Sequence, residues 1–438
     1  MKLKQGCTIH SDYGLNISAE SYVDAGIPII RTSDFDDYGS LDLSDTKCVE
    51  PHVVGGKIIR KGDVIFSRSG TIGRAMIFNY DIEATYAAYL VRFRPNPKKL
   101  LSDFIGYWAQ SADFWHQIRS DTIQSTIGNF NANKFSNLSI PNPDPPTQRR
   151  IADFLDRETA RIDLLIEKKQ RLVAVLNEKR SAEIAHAITG GTSFDDEMEK
   201  GVRGRGAAGG GGGVRKHPLR HLSQIANSNV DKVIVEGERS VRLCNYVDVY
   251  KNDFITVDMP FSTGSATDSE VKRFGLKSGD VIITKDSEDR NDIGVPAYVC
   301  ETADDMVCGY HLTLLRADTR ICRGDFLFWA LKAKPLREAC SIAANGITRY
   351  GLTQEGIRSL RIPVPDLPTQ RRIADFLDRE TARIDALKDK TNESIDRLKE
   401  YRAALITAAV TGQIDVDSHT RSGATDRRLD SIQEELGA

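Results

Sequence analysis

Four polar stretches carry residue types that could act chemically on a charged, planar ligand. They are Ser67-Arg68-Ser69-Gly70-Thr71-Ile72-Gly73-Arg74, Lys285 to Asp292 with Arg290, Gln124 to Asn131 with Asn129, and Asn345-Gly346-Ile347-Thr348-Arg349-Tyr350-Gly351. Arg, Asn, Ser and Thr can lay donors and acceptors along base edges, while neighbouring glycines let backbone amides approach phosphate. The same residue types are ordinary turn chemistry, and on type alone a solvated loop is the better description. Arg31, in Arg31-Thr32-Ser33-Asp34, and Arg242, in Arg242-Leu243-Cys244-Asn245, form a looser echo of one another and join the candidates.

Catalytic patterns fail for lack of context. Asp144-Pro145-Pro146 approaches the Asp-Pro-Pro-aromatic loop of amino-methyltransferases, but Thr147 replaces the aromatic and Leu367 breaks the second copy. No glycine-rich cofactor loop and no Gly-x4-Gly-Lys-Ser/Thr phosphate loop is present. Pro143-Asp144 with Glu167-Lys168-Lys169 mimics a nuclease pattern whose Glu and Lys fall in mid-helix. His217 and His221 have metal-ligand spacing, yet Pro218 separates them and no further ligands complete a site. No catalytic residue, metal or cofactor of its own is expected.

The elements that must position the polar stretches are written twice. Pro146 to Asp163 and Pro368 to Asp385 are the same eighteen residues, a tandem repeat with a period near 222. Ile140-Pro141-Asn142-Pro143-Asp144 answers Ile362-Pro363-Val364-Pro365-Asp366, and the likeness continues loosely to Gly190 and Gly412. Upstream, each copy follows a divergent stretch in which little beyond Gly62-Asp63-Val64-Ile65 and Gly279-Asp280-Val281-Ile282 survives. A turn and then a strand are predicted at those two sites, and short aromatic-rich helices at Phe104 to Trp115 and Phe326 to Ala333.

The repeated segment predicts a long amphipathic helix, with Thr147 or Thr369 capping its first turn and glycine stopping its last. The predicted coiled-coil seam is Ile151, Leu155, Ile162, Leu165, Leu172, Leu176, Ile184 and Ile188 in the first copy. In the second it is Ile373, Leu377, Ile384, Leu387, Ile395, Leu398, Ile406 and Val410. Some forty residues at about 1.5 Å each give a rod of roughly 60 Å.

The expected organisation is a first domain at 1–143, a helix at 144–190, a Gly-rich linker at 191–215, a second domain at 216–365, a helix at 366–412 and a flexible tail at 413–438. A 438-residue chain with 40% hydrophobic content supports several cores, and no apolar run is long enough to span a membrane. Seven scattered cysteines without a Cys-x-x-Cys pair fit a reducing cytoplasm.

The doubled Pro-x-Pro-Asp-x-Pro-Thr-Gln-Arg-Arg-Ile-Ala-Asp-Phe-Leu-Asp, each time after a divergent domain containing Gly-Asp-Val-Ile, resembles the DNA-sequence-specificity (S) subunit of type I restriction-modification systems. The resemblance runs from about Pro28 to Gln413, and Gly62 to Gly73 follows the family's recognition-domain pattern closely. Thr147 and Thr369 stand where the family usually has Glu, read as an exchange of cap. The chain begins almost inside the first recognition domain, which reads as a truncated or misassigned start.

The resemblance implies an α+β fold: two mixed α/β target-recognition domains on two long antiparallel coiled-coil helices, with an internal pseudo-two-fold. It implies a non-catalytic DNA-recognition subunit of a cytoplasmic complex, each domain reading one half of a bipartite asymmetric site on double-stranded DNA. The helices would set the gap and dock two methyltransferase (M) subunits, with restriction (R) subunits joining. S-adenosylmethionine, ATP and magnesium would belong to those partners. The alternative is a coiled-coil scaffold or degenerate orphan subunit. A net charge of −2 opposes DNA binding unless Arg68, Arg74, Lys285, Arg290 and Arg349 gather on one face.

Overall fold

A computed structural model of the chain describes residues 1–122, 130–190 and 215–434. It divides into two compact units, Met1–Leu172 with Lys390–Ala438, and Val173–Asp389. The division falls inside both long helices, Pro145–Thr189 and Leu367–Val410. The expected linker at 191–215 lies, but for its last residue, outside the described residues.

The first unit is organised around a four-stranded antiparallel sheet. Its strands are β1 (Cys7–Tyr13), β2 (Val64–Ser67), β3 (Ala75–Ile77) and β4 (Leu90–Pro95), in the order β1-β4-β2-β3. Every residue of β2 is buried, which explains its unbroken apolar run. Phe66 stacks on Phe114 and Phe135 and meets the edge of Phe93. The aromatic stretch forms two helices, Ser102–Trp108 and Ala112–Thr122. Ser111 makes the break, its hydroxyl donating to the Trp108 carbonyl and accepting from the Phe114 amide.

The second unit repeats this plan with one more strand. Strands β5 (Ser223–Asn227), β6 (Phe254–Ile255), β7 (Val281–Thr284), β9 (Pro296–Val299) and β10 (Leu312–Ala317) form a sheet in the order β6-β9-β7-β10-β5, and β8 (Asp286–Ser287) leaves it directly after β7. The topology of the first sheet is retained although the sequences have diverged. A buried helix, Gly324–Lys332, packs behind it with Phe326, Phe328 and Trp329 inside.

The Gly-Asp echo marks a structural turn. Gly62 and Gly279 have φ of 88° and 92°, a conformation that suits glycine. Asp63 and Asp280 are buried and grip Arg94 and Arg316 through two hydrogen bonds each, at 2.6 to 2.8 Å. Burial of the carboxylate demands such a partner.

The helix starts are equally matched. The cap is Asp144 or Asp366, which accepts the amide of Thr147 (3.1 Å) or Thr369 (2.9 Å), so the expected threonine caps are corrected. Hydrogen bonding from those threonines holds both carboxylates below their ordinary pKa. Each threonine hydroxyl instead accepts from Arg150 or Arg372. Buried Gln148 donates to the Lys99 and Pro143 carbonyls and accepts from the Leu101 amide; Gln370 makes the same three bonds to Ile321, Pro365 and Arg323. Asp156 accepts from the Tyr107 hydroxyl (2.5 Å), and its counterpart Asp378 from the Trp329 indole (2.8 Å).

Within each unit the two helices run antiparallel. Arg402 binds Asp163 at 2.9 Å in the first unit, and Arg180 binds Asp385 at 3.1 Å in the second, the same pair with its members exchanged between the copies. The seam differs from expectation at Leu172 and Leu387, each 41% exposed, and at half-buried Leu165. The more buried stripe runs through Ile162, Ile166, Leu176, Ile384, Thr391, Ile395, Leu398 and Arg402, with Lys169, Val173, Arg180 and Lys388 half-buried along it. Its alternating steps of four and three admit polar residues and leave those leucines one position off.

The tail is also corrected. Val416–Ser422 and Ala424–Glu434 are helices, joined by Gly423 at φ 61°. Val416, Leu429 and Ile432 are buried in the first unit's core, so a few well-spaced apolar residues suffice to hold a mostly charged segment.

Candidate nucleic-acid interface

The loops that follow β2 and β7 occupy equivalent rims. In the first unit the Arg68 amide donates to the Tyr89 carbonyl and the Arg68 carbonyl accepts from the Phe130 amide, at 2.9 and 3.0 Å. In the second, Lys285 makes the same two bonds with His311 and Leu352, at 3.0 and 2.8 Å. Each early polar stretch is thereby joined to the late one. In the second unit the junction is a small sheet in which β8, β11 (Ala344–Asn345) and β12 (Tyr350–Leu352) are ordered β8-β12-β11.

The side chains on these rims divide into structural and outward groups. Ser67 is fully buried and staples its own loop, bonding the Thr71 carbonyl and accepting the Arg74 amide at 3.1 Å. Arg74 binds Asp37 (2.7 Å) and the Phe35 carbonyl (3.0 Å). Arg31 grips Asp34 and Arg242 grips Asp305, each with two nitrogens, which raises the pKa of both guanidiniums. Asn131 caps helix Ala132–Asn137 by accepting the Lys134 amide. Arg290 donates to the Ser341 and Ile342 carbonyls. Asn129 lies outside the described residues.

Outward groups remain on both rims. Arg68 lies over the Tyr13 ring at 4.9 Å, with half-buried Ser69 and exposed Thr71 beyond it. Lys285 lies over the Tyr310 ring at 4.8 Å and donates to the Ser228 carbonyl. Asn345, Thr348 and Arg349 are exposed, while Tyr350 is half-buried in β12. The cations are not all gathered: Arg31, Arg74 and Arg242 are held by neighbouring carboxylates. Such a rim can stack on bases and donate to their edges or to phosphate.

Sequence reasoning named Tyr350 but missed Tyr13, Tyr89, Tyr310 and His311 at the rims. Tyr89 is 63% exposed, and Tyr310 packs beside His311, whose Nδ1 lies 2.7 Å from Asp286 Oδ2. His311 has φ of 70°, an uncommon conformation outside glycine. The available signal was position: Tyr89 directly precedes β4, and Tyr310-His311 directly precedes β10, the partners of the two Gly-Asp-Val-Ile strands. Among the described residues no group of three or more His, Cys, Asp or Glu could hold a metal ion, and His217 sits in a strand opposite Ile362.

Comparison with known proteins meets this geometry. The profile of the type I restriction modification DNA specificity domain matches residues 1–174 and 242–397. The EcoKI specificity subunit of Escherichia coli K12 is 21% identical over 441 residues, covering 94% of this chain and 87% of that protein. The StySPI specificity subunit of Salmonella potsdam is 21% identical over 423 residues with the same coverage. A chain from a solved structure concerning complex assembly and conformational transition of the type I R-M system aligns at TM-score 0.65 and 17% identity, over 94% of this chain and 96% of its own. The HsdS subunit of Thermoanaerobacter tengcongensis aligns at 0.50 and 17%, with the same coverage, and at such identities the likeness bears on fold. With two matched domains over most of its length, this chain belongs to the type I restriction-modification DNA specificity family, as a non-catalytic specificity subunit.

Proposed function

We propose that each recognition domain reads one half of a split, asymmetric DNA site, and that the paired helices fix the unread gap between the halves. The observation that carries this reading is the contrast between matched scaffolds and unmatched rims. The four strands common to both sheets have the same order and both helix starts make the same glutamine bonds, while the rims present Arg68, Tyr13 and Tyr89 in one unit and Lys285, Tyr310 and His311 in the other. Different half-sites require different donors, acceptors and stacking surfaces. Ser69, Thr71, Asn345, Thr348 and Arg349 complete the proposed contact set; Arg31, Arg74 and Arg242 position loops through their carboxylates.

The helices dock two methyltransferase subunits in this reading, restriction subunits join that complex, and the whole acts in the cytoplasm. Adenine methylation with S-adenosylmethionine, and any ATP-driven step, belong to those partners. Methylome sequencing of a host expressing this chain with its neighbouring methyltransferase, against the methyltransferase alone, tests the proposal. The expected result is a new split motif with a fixed gap; no new methylation despite complex assembly would overturn it.

A further inference from the structure

The hairpin formed by β11 and β12 carries an apolar residue at its tip. Ile347 is 90% exposed, the most exposed of the large apolar side chains among the described residues. The turn that holds it is tight. Gly346 has φ of 137°, and a Cβ there would lie 1.9 Å from the Arg349 carbonyl oxygen, so only glycine fits. The chain doubles back within Gly346-Ile347-Thr348-Arg349, and Ala344 and Asn345 pair with Leu352 and Gly351.

The base of the hairpin is braced on two sides. On the other edge of β12, Gly351 and Tyr350 pair with Asp286 and Ser287 of β8, and the Leu352 amide donates to the Lys285 carbonyl at 2.8 Å. Helix Lys334–Ala343 leads directly into β11, and Arg290 donates to the Ser341 and Ile342 carbonyls in its last turn. A tip mounted in this way loses little freedom on binding.

Leaving an isoleucine in water is unfavourable, and the surroundings indicate what covers it. Asn345, Thr348 and Arg349 flank it and are exposed, Lys285 stands at the base, and residues 344–352 contain no carboxylate. Asp286 on the neighbouring strand is tied to His311. The exposed Val233-Ile234-Val235 differs, because its segment holds Asp231, Glu236 and Glu238 against Lys232 and so repels phosphate. One projecting side chain is too small for a stable protein interface, which buries upwards of about 1,000 Å². It has the size of the apolar wedges that enter between base pairs.

We infer that Ile347 is such a wedge: it enters between adjacent base pairs of the half-site read by the second unit, unstacks that step and kinks the duplex. The inference rests on the reading that this rim binds DNA. A pyrimidine followed by a purine opens most easily, so Ile347 adds specificity without a hydrogen bond to any base.

The test uses the complex of the full chain with its neighbouring methyltransferase, on duplexes carrying the methylated motif. The fluorescent analogue 2-aminopurine replaces one adenine at a time on either strand, and dyes at the duplex ends report bending. With the native chain, one step apart from the methylated adenine brightens and the ends draw together. Ile347→Ser abolishes both and weakens binding by about tenfold, whereas Ile347→Leu preserves them. The methylated adenine, which methyltransferases extrude, is scored separately and brightens in every variant. Bending unchanged by Ile347→Ser, or a native complex that binds its site without an opened step, would overturn the inference while leaving recognition in place. No site-specific binding by the native complex would overturn the DNA reading itself, and the inference with it.

Discussion

At one rim Arg68 lies over Tyr13 beside an exposed Tyr89; at the other Lys285 lies over Tyr310 beside a histidine tied to Asp286. The main-chain bonds beneath them are the same, residue for residue. The difference teaches where change is tolerated. Groups that close the sheet and seat it on its helix are buried and retained, whereas groups facing solvent at the loop tips are replaced.

Four experiments would break or sharpen that contrast. Removing a buried carboxylate should do most: Asp280→Ala strands Arg316, and Asp63→Ala strands Arg94, each costing about 3–5 kcal/mol. Calorimetry should show each substitution lowering the melting of its own unit; a neutral result for either would end the claim of a shared scaffold. Next, Gln148→Leu and Gln370→Leu leave backbone groups unpaired and should each cost about 2–3 kcal/mol, measured by chemical denaturation. At the rims, Arg68→Ala and Lys285→Ala should leave folding intact and weaken DNA binding by about 1–3 kcal/mol, each relaxing one half of the methylated motif. If either changed both halves, the one-domain, one-half-site assignment would fail. Smallest of all, Arg180→Ala and Arg402→Ala should each cost about 1 kcal/mol, because Asp385 and Asp163 are partly exposed. Equal losses in the two units would support the exchanged ion pairs as true equivalents.

Much of this architecture was legible in the residues. The repeat predicted both long helices and their glycine stops, and Gly-Asp-Val-Ile predicted a turn and a strand in both units. Those features arise from local chemistry, glycine at positive φ and an apolar run, which a sequence displays directly. The seam was harder, because its stripe includes half-buried Lys169, Arg180 and Lys388 and buried Arg402, whose charge disguises their position, while Leu172 and Leu387 face outward. The tail was misjudged for a related reason: Val416, Leu429 and Ile432 find their apolar partners in the first unit's core, on elements distant in sequence. At the candidate site, residue type singled out Arg68 and Lys285, and no less Ser67, Arg31, Arg74 and Arg242. Only the folded chain brings up the carboxylates and carbonyls that hold those four.

The bonds made by Gln148 and Gln370 carry one more consequence. All of their partners are main-chain carbonyls and amides, which every amino acid possesses. This part of the joint between recognition domain and helix is therefore blind to side-chain identity, whereas the Tyr107–Asp156 and Trp329–Asp378 bonds beside it are not. Residues along that main-chain path can change without disturbing the glutamine bonds, provided the backbone keeps its course.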